Sequence, residues 1–129
     1  MLELYKEKNR ALLNKIAIES DPLKRVDYEI QQFYTEDTIE LIEKQNNMIK
    51  ATVYLTKDEA NKQIDNKTKK YNRIIGLLEL KVSLLENKIS TLKDELEVVE
   101  TKLLIADLKA EIQAKKSFVE AWIERKKVV

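Results

Sequence analysis

A chain of 129 residues with one glycine, Gly76, and one proline, Pro22, has almost none of the punctuation that sheets and tight loops require. Turns are built mainly from Gly, Pro, Asn and Asp, so a β-sandwich or an α/β fold would lack its corners. The residue menu is instead rich in Leu, Glu, Lys and Ala, the strong helix formers. The expectation is an all-α protein, a helical bundle or coiled coil with two shorter N-terminal helices and one long heptad-bearing helix.

The same counts narrow the chemistry. There is no His and no Cys, which removes imidazole and thiol catalysis, Cys/His zinc sites and disulfides; a single isolated Gly removes glycine-rich phosphate loops. The hydroxyls Ser20, Ser83, Ser90 and Ser117 have no imidazole to activate them, so no catalytic residue is assigned and the chain is not read as an enzyme. Charged residues make up 36% of the chain, with 24 basic against 23 acidic groups, a net charge of +1. That balance argues against general affinity for polyanions. Lys outnumbers Arg 20 to 4, the composition of an AT-rich coding genome such as that of a low-GC bacterium or its mobile elements. No apolar run approaches the roughly 18 residues of a membrane span, and Met1 to Arg10 is too charged for a signal peptide, so a cytoplasmic protein without membrane association is expected.

Along the chain, Leu2, Tyr5, Leu12 and Ile16 recur at helical spacing and predict a first amphipathic helix over residues 2–18. Ser20-Asp21-Pro22 ends it: Asp21 or Ser20 can cap the next helix, and Pro22 suits its first position, where a missing N–H costs nothing. From Leu23 a three-to-four spacing continues to about residue 55. A kink is expected at the polar stretch Thr35 to Thr38, and weaker points at Asn46-Asn47 and in the β-branched run 52–56. Thr56-Lys57-Asp58-Glu59 fits a capping box and predicts a new helix start. The division is therefore 1–56, two helices packing on a third, and 57–129, a long helix with a basic C-terminal tail.

After Thr56 the helical pattern runs to about Lys127, roughly 71 residues or 105 Å at 1.5 Å per residue if unbroken. Its centre carries a heptad ridge: Ile75, Val82, Ile89, Leu96 and Leu103 at one core position, and Leu78, Leu85, Leu92, Val99 and Ala106 at the other. Ten of ten positions are apolar, which predicts a coiled-coil seam closed by a second copy, most simply as a parallel dimer. The flanking charges leave orientation open, with Lys81–Glu86 and Lys102–Asp107 attracting while Lys88–Lys93 and Glu95–Glu100 repel. A second stripe, Leu77, Leu80 and Leu84, then Val98, Ile105, Leu108, Ile112, Val119 and Trp122, must also be covered; the N-terminal helices are the expected cover. A break near Lys67 to Tyr71 or Ala114 to Ser117 would instead fold the long helix back into a compact monomer.

Three surface features compete for a role. Acidic groups Glu36, Asp37, Glu40 and Glu43, and again Asp94, Glu95, Glu97 and Glu100, lie on nearby turns, but without His a Glu-x-x-His di-iron pair cannot be built, and they read as solvated faces; no metal or cofactor is assigned. Lys62, Lys67, Lys69, Lys70 and Arg73 precede the heptads as a basic region precedes a leucine zipper. The zipper register fails, because from Asn61 it reaches Lys69 and then Glu79 where leucine is required, so nucleic-acid contact through these residues is the alternative reading. Phe118, Val119, Trp122 and Ile123, followed by Arg125-Lys126-Lys127, form an apolar patch for which packing inside the protein, docking on another protein and lying on an anionic membrane compete, in that order. The expected function is thus structural or adaptor, by coiled-coil self-association and contact with another protein, in the manner of small assembly or host-interaction proteins of phages and mobile elements.

Overall fold

The computed structural model describes residues 1–48 and 56–128, and every regular element in them is a helix. The elements are α1 (Leu2–Ile18), α2 (Pro22–Met48), α3 (Lys57–Ile89) and α4 (Glu95–Val128). The chain divides into two compact units, Met1–Tyr54 and Leu55–Val129, each an antiparallel pair of helices.

In the first unit the boundary lies where the sequence placed it. Asp21 is the cap: the Lys24 N–H donates to its Oδ2 at 3.0 Å, and the Arg25 N–H donates to its backbone carbonyl at 2.9 Å. Pro22 then opens α2, where its fixed φ suits the first turn. The three-residue link Glu19 to Asp21 turns the chain back, and Leu12 of α1 is buried in the same unit as Val26 and Phe33 of α2. A polar contact fixes the pairing: Gln32, only 4% exposed, donates from Nε2 to Asn9 Oδ1 at 3.0 Å and to Glu36 Oε2 at 2.8 Å.

No break appears at Thr35 to Thr38; α2 runs through it. The hydroxyls of Thr35 and Thr38 donate to the carbonyls of Gln31 and Tyr34, one turn back, at 2.8 and 2.9 Å. This internal bonding lets polar β-branched residues sit in a helix without opening it. α2 also passes Asn46 and Asn47, whereas the weak point at 52–56 lies almost wholly outside the described residues.

The second unit departs further from expectation. The capping box holds: Thr56 Oγ1 accepts from the Glu59 N–H at 3.1 Å, and Glu59 Oε2 accepts from the Thr56 N–H at 3.2 Å. The long helix, however, ends at Ile89 and restarts at Glu95. The break falls at neither 67–71 nor 114–117. Ser90 and Thr91 turn their hydroxyls onto the carbonyls of Asn87 and Lys88, at 3.0 and 2.7 Å, while the Thr91 and Leu92 N–H groups close tight three-residue bonds to Lys88 and Ile89. Asp94 then caps α4, its Oδ2 accepting from the Glu97 N–H at 3.2 Å. Ser, Thr and Asp offer the backbone local partners that compete with helix, and here they do so within five residues.

α4 therefore returns along α3. Lys109 meets Glu86 and Lys116 meets Glu79, each at 3.5 Å, and Lys126 Nζ reaches Asp65 Oδ1 at 2.6 Å, so residues later in α4 pair with residues earlier in α3. Between the helices lie Ile74, Ile75, Leu78, Val82 and Leu85 from α3, and Ile105, Leu108, Ile112 and Val119 from α4, all buried. At about 1.5 to 3 kcal/mol for each fully buried large aliphatic side chain, these nine make the hairpin core the main stabilising feature of the unit.

Candidate interaction surface

The hairpin resolves the two competing stripes. Successive residues of a helix are set 100° apart, so in α4 the positions Ile105, Leu108, Ile112 and Val119 share the side that packs on α3. These belong to the second stripe, which the sequence left for the N-terminal helices to cover; α3 covers it. The heptad ridge is divided in consequence. Its first part, Ile75, Leu78, Val82 and Leu85, is buried within the chain's own hairpin, and Ile89 and Leu92 near the turn are half-buried. Its second part points away from α3: Leu96 and Leu103 are 63% and 61% exposed, and Val99 and Ala106 are also exposed. One unbroken seam facing a second copy is thus replaced by an intramolecular core and a separate outward surface. The reason is geometric, since the turn at 90–94 reverses the chain and lets the neighbouring stripe of α4 meet α3.

That outward surface continues. Ala110, Ala114 and Ala121 are exposed on the same side, with Leu104 and Phe118 on its flank. α4 is therefore apolar on two opposite sides, of which α3 occupies one.

The Phe118 to Ile123 patch is divided as well. Val119 lies in the hairpin core. Trp122 is half-buried, its ring set edge-on to Tyr71 with centroids 4.7 Å apart, and Lys67 Nζ lies 5.6 Å over it. Phe118, 56% exposed, stacks beside Trp122 at 6.4 Å, and Ile123 is exposed in a different direction. Trp122 thus closes the end of the hairpin remote from its turn, and only Phe118 of the four adds to the outward surface.

Among the basic residues, Lys62, Lys69 and Arg73 are exposed and recur at seven and four residues, on one line of α3. Lys67 is turned away toward Trp122, and Lys70 is half-buried. The five do not form one continuous patch. Among the described residues no group of three or more acidic side chains is placed to hold a metal ion, and no helix is long and apolar enough to cross a membrane. The cavities beside the hairpin are shallow and open; one lies beside Gly76 and another beside Trp122 and Lys67.

One signal in the sequence marked the turn. Asp94 followed three residues later by Glu97 repeats the spacing of Thr56 and Glu59, a helix-start pattern. The ten consecutive apolar heptad positions masked it, because Leu92 and Leu96 keep the heptad count through the break.

Comparison of the chain with protein-family models, with curated proteins and with solved structures yields no match.

Proposed function

We propose that this chain is a structural or adaptor protein that acts through helix-face association with other protein surfaces, and that it carries out no chemistry of its own. The observation that carries this reading is the outward side of α4, where Leu96, Val99 and Leu103 are exposed on one line beside a run of alanines. Single exposed leucines are ordinary on soluble proteins; an aligned series along a helix that already has a packed side is not. Association removes this surface from water and is favourable at about 25 cal/mol per Å² of apolar area. A sequence without His or Cys supports the non-enzymatic side of the reading. Its lysine-rich, arginine-poor composition is in keeping with a cytoplasmic assembly or host-interaction protein of a phage or mobile element.

The test uses the tagged chain and the double variant Leu96→Asp/Leu103→Asp as baits in extract of a host cell, with an untagged copy of the chain added. Both positions are exposed, so the variant keeps its helical circular dichroism. The expected result is that one or more proteins, the untagged copy included, are retained by the parent and lost by the variant. Identical sets retained by both would remove α4's outward side as the working surface.

A further inference from the structure

We propose that the outward side of α4 is closed by the same side of a second copy of this chain, with the two α4 helices running parallel and in register. The inference rests on the helix-face reading above and names its partner. Along this side Leu96, Val99, Leu103, Ala106 and Ala110 occupy five successive core positions of a heptad seam, and the two alanines let two helices approach closely. Each residue of the stripe would meet its own counterpart across a two-fold axis, an isologous contact that closes as a dimer and does not propagate.

The edges of the stripe choose the orientation. One edge carries Glu100 and Asp107 and then the uncharged Ala114 and Ala121; the other carries Glu95 followed by Lys102, Lys109 and Lys116. In a parallel pair each edge lies against the opposite edge of the other helix, so the acidic edge of one copy faces the lysine edge of the second, with Lys102 opposite Asp107. In an antiparallel pair overlaying the same stripe like edges meet: Lys102 falls near Lys102 and Lys109 of the other copy and Glu100 near Asp107, both repulsive, against Glu95 near Lys109 as the one attraction. Glu95 against Glu100 is the one like-charged contact of the parallel arrangement, and it lies in the first turns of the helix. Lys109 and Lys116 lean toward Glu86 and Glu79 of their own α3, yet their side chains remain 62% and 47% exposed, so they still charge that edge. An unrelated partner would have to bring both a narrow apolar stripe and the matching pair of edges, whereas a second copy brings them by identity.

The absence of Cys from the sequence makes single-cysteine variants of the full chain clean probes. Val99→Cys and Leu103→Cys are each expected to give covalent dimers under mild oxidation, and Asn72→Cys, exposed on α3, to give few. By light scattering the parent should approach twice 15.2 kDa as concentration rises, and Leu103→Asp should return it to the single-chain mass with helicity unchanged. A parent of single-chain mass at every concentration overturns the proposal, as does a doubled mass that Leu103→Asp leaves in place. So does cross-linking that fails for Leu96→Cys alone and succeeds when it is mixed with Ala110→Cys, the antiparallel signature, because the two ends of the stripe meet only when the helices run in opposite directions. If the parent is monomeric while α4-dependent capture of another protein persists, the second copy is excluded and the helix-face reading stands.

Discussion

At the scale of single residues, α3 carries small local conflicts and one indispensable contact. Gly76 sits in the interior of α3, is exposed, and a Cβ added there would meet nothing within 4 Å. Glycine in a helix interior costs about 0.5 to 1 kcal/mol relative to alanine because the unfolded chain has more freedom to lose. Gly76→Ala is therefore expected to stabilise by that amount, read as a higher urea midpoint with unchanged slope. Thr68 Oγ1 is buried and meets no hydrogen-bond partner among the described residues; Thr68→Val removes the unsatisfied hydroxyl at nearly constant shape and should stabilise by roughly 1 kcal/mol. Ile74 is 0% exposed, and truncation to alanine leaves a cavity and is expected to destabilise the hairpin by about 2 to 5 kcal/mol in the same titration.

At the scale of elements, the decisive event is the stop at Ile89 and the restart at Glu95. Asp94 holds that restart through its bond to the Glu97 N–H, so Asp94→Ala is expected to cost about 0.5 to 2 kcal/mol in denaturant titration. Leu85→Asp distinguishes a hairpin from a zipper. If Leu85 faced only a second chain, the variant would separate two chains; buried against α4 as it is, it places an unpaired charge in the core of the chain itself. The expected outcome is loss of helical signal from the α3–α4 pair at every protein concentration, and a loss that disappears at high concentration would contradict the hairpin. Much of this level was legible beforehand. Asp21 with Pro22, and Thr56 with Glu59, announce helix starts because capping is a local bond between residues three apart. The stop at Ser90 was masked: Asp94 and Glu97 have the spacing of a helix start, but a heptad count registers only apolar spacing and passes through a turn that preserves it.

For the whole molecule, the proposed pairing of two α4 helices joins an apolar stripe to charged edges that set orientation. The two contributions respond oppositely to salt. Screening at 1 M shortens the Debye length to about 3 Å and weakens the edges, while burial of Leu96, Val99 and Leu103 is unaffected or strengthened. Association measured by light scattering should therefore persist in high salt, with the bias toward Leu96→Cys self-cross-linking over pairing with Ala110→Cys reduced. Association abolished by salt would mean that charge, and not the apolar stripe, holds the copies together.

Sequence alone determined that the chain is all-helical, where α2 and α3 begin, and that it has no imidazole or thiol to work with, since each of these depends on composition or on residues within one turn of each other. It also marked which residues of the last seventy are apolar. It could not decide which apolar stripe meets which, because Ile75 to Leu103 and Val98 to Trp122 are equally good helix faces, and a heptad ridge looks the same whether its partner is another chain or the same one folded back. Only the tertiary structure decides that: five residues at 90–94 reverse the backbone, α3 takes the stripe of α4 that the reversal presents to it, and the remaining leucines are left outside.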